Sequence, residues 1–124
     1  MITLYDYLPS QNAYKVRLLL HHLDRPYVTK IVQIFAGEGQ APSFRAKSPT
    51  GAVPVLELDD GRLLTESNAI LFYLAQGTAY LPSDAWGQAQ VLRWMFFEED
   101  FIQNGLASLR YWTMTGKLGR RSPR

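Results

Sequence analysis

A proline stands at the start of a predicted strand, within the nine residues Thr50-Gly51-Ala52-Val53-Pro54-Val55-Leu56-Glu57-Leu58. Because proline has no N–H to donate to a strand ladder, it occupies the beginning or the edge of a strand. Its neighbour Val53 then keeps its backbone amide and carbonyl for an outside partner. A cis Val53-Pro54 bond would turn the chain sharply and present both groups outward, and cis bonds occur almost only before proline.

A hairpin and then a helix are predicted to follow this proline. Asp59-Asp60-Gly61 has the residues of a tight turn, so strands are expected at about 54–58 and 62–64. The next helix is predicted at about 66–76. Its first turn has unpaired amides and the positive end of the helix dipole, so the Ser67 amide and hydroxyl are suited to a carboxylate, and Glu66 to an ammonium group. Alternatively, Thr65 or Ser67 only caps the helix and Glu66 is only a first-turn acid.

The N-terminal part of the chain predicts an alternation of strands and helices. Ile2-Thr3-Leu4-Tyr5-Asp6 alternates as a half-buried strand does, and apolar residues recur with helical spacing from Gln11 or Asn12 to Asp24. A second strand is predicted over 27–34, followed by a loop with a short irregular helix near 43–47. The resulting β-α-β-α-β-β-α order predicts an α/β, thioredoxin-like domain with a mixed sheet of four strands.

A second helical region is predicted after this domain. We expect the first domain to span 1–77, a linker 78–87, a helical region 88–112 and a basic disordered tail 113–124. The helical pattern is rich in aromatic residues, which indicates either a core or subunit contact or a cofactor box.

Composition excludes several function classes. All 11 acidic residues but only nine of the 13 basic ones precede residue 117, so residues 1–116 have a formal charge of −2 and predict no nucleic-acid partner. The longest apolar run, Ala69 to Ala75, is too short for a membrane helix, and no signal peptide is recognisable. The absence of cysteine excludes disulfides and zinc-thiolate sites, so any thiol must come with a ligand. The adjacent His21 and His22 point about 100° apart on a helix and predict no metal site.

Several motifs together resemble the bacterial glutathione S-transferases, over Ile2 to about Trp112. They are "ITLYDY", "PSQNAYKVRLLL", "SPTGAVPVLELDDG", "LLTESNAILFYLA" and "QAQVLRWMFFEED". The resemblance implies that the Val53 backbone beside Pro54 pairs with the cysteinyl part of glutathione, and that Glu66 and Ser67 hold its γ-glutamyl end. It also implies a cytoplasmic homodimer acting in detoxification, whose all-helical second domain is truncated here after one long helix.

The resemblance also implies where the chemistry takes place. The family has a hydroxyl or thiol beside the bound sulfur in the first β-α loop, where Ser10 is the matching residue and Asn12 the second candidate; Gln40 is expected near the glycine end of glutathione. Ser10 would stabilise the thiolate, or it would only cap the helix. We therefore expect conjugation of glutathione to a small-molecule electrophile, with no metal. The alternative is a non-catalytic module of the same fold that binds glutathione or a protein.

Overall fold

The computed structural model describes residues 1–117 and 119, which divide into two compact units, Met1–Tyr80 and a second that begins at Leu81. The domain limits predicted from sequence stay a prediction. Of the predicted disordered tail, Thr113 and Met114 are helical, whereas residues 118 and 120–124 lie outside the described residues.

The first unit has the predicted thioredoxin-like order of elements. They are β1 (Ile2–Asp6), α1 (Gln11–His22), β2 (Tyr27–Ile31), α2 (Pro42–Arg45), β3 (Val55–Glu57), β4 (Leu63–Thr65) and α3 (Ser67–Ala75). The four strands form a sheet in the order β2-β1-β3-β4, so β2 and β4 are its edges. β1 runs parallel to β2 and antiparallel to β3, and β3 runs antiparallel to β4. The predicted mixed sheet is confirmed.

Two predicted boundaries are wrong because the chain turns earlier than its pattern suggests. α1 ends at His22, since Asp24 has a positive φ of 49° that breaks the helical geometry. β2 ends at Ile31, and two short 3-10 turns, Ile34–Ala36 and Glu38–Gln40, lead into α2.

The central strand β1 buries side chains on both of its faces, so the prediction of a half-buried β1 is wrong. Ile2 and Leu4 of β1 pack in one core cluster whose helical members are Val16, Leu20, Ile70 and Leu74. Tyr5, on the other face, packs in a second cluster with Phe44 of α2. Alternation along β1 therefore separates two cores, since helices cover both faces of the sheet.

Two glycines allow the loop before β3 to approach the turn before α2. A Cβ atom at Gly39 would lie 2.4 Å from the carbonyl oxygen of Gly51, and one at Gly51 would lie 2.4 Å from the carbonyl oxygen of Gly39. Gly51 also has a φ of 72°, which favours glycine. The approach brings the Glu38–Gln40 turn beside the chain that leads to Val53.

The second unit is helical, as predicted, but its helix is not regular throughout. α4 (Ala85–Phe97) continues into a π-helical stretch (Glu98–Ala107) and then α5 (Ser108–Met114). Asp84 caps α4 by accepting a hydrogen bond from the Gly87 amide at 2.9 Å. None of the described residues of these three helical segments is buried, so the aromatic residues do not form a core there.

Candidate functional site

The register of the sheet brings three connections to one end of the first unit. Tyr5, near the end of β1, pairs with Val55 at the start of β3. Val55 also pairs with Thr65 at the end of β4. The loop after β1, the residues before β3 and the start of α3 therefore meet at the same sheet end. These connections contain Ser10, Val53-Pro54 and Glu66-Ser67.

Val53 and Pro54 are both buried, and the peptide bond between them is cis. No backbone hydrogen bond from another described residue reaches the amide or carbonyl of Val53, which lies two residues before β3. The amide and carbonyl are thus a donor and an acceptor side by side, the pair that an extended peptide uses to add to a strand.

The start of α3 lacks the side-chain cap that α1 and α4 both have. Glu66 takes the cap position with φ 69° and ψ 112°, an uncommon conformation for a residue with a side chain, and its carboxylate accepts no capping hydrogen bond. Ser67 follows as the first helical residue and is only 5% exposed. Its hydroxyl makes no hydrogen bond within the described residues. An anion at this position would meet unpaired amides and the positive end of the helix dipole.

Ser10 and Asn12 lie at the start of α1. Ser10 is the N-cap, and its Oγ accepts a hydrogen bond from the Ala13 amide at 3.2 Å. The capping role expected as the alternative is therefore confirmed. Capping uses an oxygen lone pair, so the hydroxyl proton stays available for donation to a sulfur. Asn12 lies in the first turn of α1 and is half-buried.

Gln40 lies at the close approach of the two glycines. Its Oε1 accepts a hydrogen bond from Arg45 Nη1 at 2.7 Å, which orients the side-chain amide. A Cβ at Gly51 would lie 2.7 Å from Gln40 Nε2, so this donor is beside the chain that leads to Val53. The functional roles of Gln40 and of the other predicted site residues stay predictions.

Two polar pairs beside these connections were not found from the sequence. Lys15 Nζ donates to Asn68 Oδ1 at 2.9 Å. Because Asn68 follows Ser67 in the chain, this contact brings a positive charge close to the start of α3. Arg17 forms an ion pair with the buried Asp6 at the end of β1. The sequence did contain a signal for the second pair, because an acidic residue closes a strand whose other four residues carry no charge.

A separate polar cluster lies on the face of the sheet covered by α2. Tyr5 Oη donates to Glu57 Oε2 at 2.6 Å, and Lys47 Nζ donates to the same oxygen at 3.3 Å. The Tyr5 hydrogen bond, with Lys47 as the nearby cation, holds the pKa of Glu57 below its ordinary value of 4.5. An open cleft of about 340 Å³ adjoins this cluster and is lined by none of the predicted site residues.

Within residues 1–117 and 119, no group of three or more His, Asp or Glu side chains is arranged to hold a metal ion. No helix in that part of the chain is both long enough and apolar enough to span a membrane.

The fold and this sheet end define a thioredoxin-like domain in which a residue without backbone hydrogen bonds to other described residues precedes a cis-proline. Residues 4–79 match the family model described as the N-terminal domain of glutathione S-transferase. The chain belongs to the glutathione S-transferase family.

Known proteins similar to this chain include both transferases and an isomerase. A maleylacetoacetate isomerase from Rhizobium meliloti is 42% identical over 83 residues, which are 64% of this chain and 38% of the isomerase. A glutathione S-transferase structure from Pseudomonas fluorescens superposes with a TM-score of 0.91 at 41% identity, covering 97% of this chain and 60% of the other. A transferase homologue from Sulfitobacter, solved with bound glutathione, has a TM-score of 0.76 at 27% identity, and the match covers 100% of this chain and 58% of the homologue. This chain thus spans between about two fifths and three fifths of the length of these proteins.

Proposed function

We propose that this chain binds glutathione at the sheet end formed by Val53-Pro54, Glu66 and Ser67, and transfers the glutathione thiolate to a small electrophile. The observation that carries the proposal is the uncapped start of α3, with buried Ser67, beside the unpaired backbone of Val53. The glutathione in the Sulfitobacter structure supports the choice of ligand.

The binding mode follows from the charges of a γ-glutamyl peptide. Its α-carboxylate meets the Ser67 hydroxyl and the free amides of α3, and its ammonium group meets the exposed carboxylate of Glu66. The cysteinyl backbone pairs with the Val53 amide and carbonyl. Gln40 then donates to the glycine end. Lys15 adds a positive charge near the carboxylate, through its contact with Asn68.

The chemistry requires a lower thiol pKa. A thiol titrates near pH ~8.5, and lowering its pKa by ~2 units means stabilising the thiolate by about 2.7 kcal/mol. The Ser10 hydroxyl proton and the N-terminal end of α1 are the groups that provide this stabilisation. Asn12 is the second candidate donor. The electrophile would enter from the solvent side of the sulfur.

Binding is tested by calorimetry with reduced glutathione. Ser67→Ala should weaken binding about tenfold, since it removes one charge-assisted hydrogen bond. The matched control is Ser43→Ala, because Ser43 is exposed in α2 on the other face of the sheet and should leave the affinity unchanged. Absence of heat with the folded wild-type chain would refute the proposal.

Turnover separates the transferase from a second candidate, a non-catalytic glutathione-binding module. The module is favoured by one observation: none of the described residues of the helical segments in the second unit is buried. Retention on immobilised glutathione with turnover of an aryl halide selects the transferase, and retention without turnover selects the module. Isomerisation of maleylacetoacetate, as the name of the Rhizobium relative suggests, is a third assay.

We also propose that the chain forms a homodimer. Trp86, Trp94 and Phe101 are 75%, 58% and 66% exposed, and large apolar groups exposed together favour association. Light scattering should give a mass above that of one chain. A clean monomer at high concentration would refute the dimer but leave the glutathione site untouched.

A further inference from the structure

Arg17 connects α1 to both ends of the turn that leaves β1. From the second turn of the helix, its Nη1 donates to Asp6 Oδ1 at 2.5 Å, at the end of the strand. Its Nη2 donates to the carbonyl oxygen of Leu8 at 3.0 Å, within the loop. One planar guanidinium therefore binds two points of the same connection through two separate nitrogens, whereas a lysine has a single donor nitrogen.

The Asp6 carboxylate is completely buried, and its Oδ2 has no hydrogen-bond partner in the described residues. Arg17, with 19% of its side chain exposed, forms the ion pair with the other oxygen. A buried ion pair is often no more stabilising than apolar residues of the same volume, so stability alone does not account for this pair. The same guanidinium also donates to the Leu8 carbonyl oxygen, so the pair connects the end of the strand to the loop.

Arg17 binds the loop at Leu8, whereas Tyr7 packs against the second core cluster and contacts the Phe35 ring. The Leu8 side chain is 66% exposed, so it contributes little packing. Ser10 N donates to the Tyr7 carbonyl oxygen at 2.8 Å, which makes the position of Ser10 depend on the loop before it. The Leu8 carbonyl, held by Arg17, lies inside that turn.

We infer that Arg17 is a positioning residue for the thiolate: by holding Asp6 and Leu8 together it sets the place of the Ser10 hydroxyl. The inference rests on the proposed function, in which Ser10 faces the glutathione sulfur. Arg17 itself touches neither sulfur nor electrophile in this scheme.

The first test is Arg17→Lys, which keeps the positive charge but cannot hold both acceptors. The thiol pKa of bound glutathione, followed by thiolate absorbance against pH, should rise by about one unit, a tenfold loss of thiolate below the pKa. The affinity for S-methylglutathione, which has no ionisable thiol, should be unchanged. Arg62→Lys is the matched control, because Arg62 pairs with Asp60 on the exposed hairpin turn and should change neither value.

The second test needs no ligand. Hydrogen exchange of the Ser10 amide should be about tenfold faster in Arg17→Lys, while the Leu56 amide of β3 exchanges as in the wild type. Asp6→Asn keeps an oxygen acceptor for Arg17 and should leave the Ser10 amide protected. Asp6→Asn could instead lower the thiol pKa while Arg17→Lys leaves it unchanged. The thiol would then respond to the charge of Asp6 and not to the position of Ser10, and the inference is overturned.

The outcomes distinguish this inference from the proposed function. If the wild-type chain binds no glutathione, the proposed function fails, and unchanged Ser10 exchange in Arg17→Lys then overturns the loop role as well. If glutathione binds and Ser10→Ala raises its thiol pKa, but Arg17→Lys alters neither the pKa nor the exchange, only the inference fails.

Discussion

The two units of this chain use similar apolar side chains in opposite ways. In the first unit, Leu4, Leu56 and Ile70 are completely shielded from solvent between the sheet and its helices. In the second, Phe96 and Leu106 are 66% and 68% exposed. A helix can bury its apolar residues only against another layer, and among the described residues only those of the first unit form a sheet to provide one. Hydrophobic content alone therefore does not tell where the folding free energy of a chain comes from.

The largest expected effect tests this contrast with one substitution at two places. Leu56→Ala should lower the free energy of unfolding by about 3 kcal/mol, because it leaves a cavity in the core. Leu106→Ala should change it by less than about 0.5 kcal/mol, since that side chain is exposed. Urea unfolding of both variants measures the difference. Comparable losses would mean that Leu106 is buried in solution, for example in a dimer.

Glycines extend the comparison to the backbone. Gly39→Ala should destabilise the first unit by about 2 kcal/mol, because the new methyl group would lie 2.4 Å from the Gly51 carbonyl oxygen. Gly105→Ala meets no atom within 4 Å in a helical segment and should stabilise it by about 0.5–1 kcal/mol. Thermal unfolding followed by circular dichroism distinguishes the expected loss of stability in Gly39→Ala from the expected gain in Gly105→Ala. A neutral Gly39→Ala would show that the two loops separate easily.

The polar cluster of the first unit predicts a pH dependence. The pKa of Glu57 in the folded chain is lower than its ordinary value of 4.5. The ionised carboxylate therefore stabilises the fold above pH 4.5, and this stabilisation is lost as the pH falls through the lower pKa of the folded chain. Tyr5→Phe removes the hydrogen bond to the carboxylate and should cost about 1.5 kcal/mol at neutral pH. The cost should shrink below pH 4.5 as Glu57 becomes protonated. Urea unfolding over the acidic range measures it. A cost that does not vary with pH would contradict the role of the charge.

The smallest expected effect compares the two helix caps. Ser10→Ala and Asp84→Ala each remove one capping hydrogen bond and should each cost about 1 kcal/mol. Only Ser10→Ala should also raise the thiol pKa of bound glutathione. Denaturation and thiolate titration of both variants measure the two effects. An equal response of the thiol to both substitutions would mean that Ser10 acts only through helix stability.

The order of elements and the mixed sheet were predictable because they depend on local patterns. Pro54 at a strand start, the Asp59-Asp60-Gly61 turn and the helical period after Gln11 each identify one element without knowledge of its neighbours. The helix ends were less predictable, since the apolar period continues past His22 while the backbone of Asp24 already turns.

What the sequence did not predict depends on contacts between distant residues. Arg17 and Asp6 meet only after α1 packs on the sheet, and Gly39 meets Gly51 only after the loop before β3 has folded. The burial of both faces of β1 depends on the position of α2. Of the residues predicted for the site, Ser10, Val53-Pro54 and Glu66-Ser67 do lie at one sheet end, and their roles are tested by the experiments above.

The open side of β2 has a consequence for the behaviour of the chain in concentrated solution. An edge strand presents unpaired backbone groups to which a strand of another molecule can add. Val28 and Ile31 are both 45% exposed there, which would favour such an addition. Lys30 lies between them, with its ammonium nitrogen 5.6 Å from the centre of the Tyr5 ring, and an added strand would have to strip water from that charge. One lysine thus discourages the sheet from growing into an aggregate.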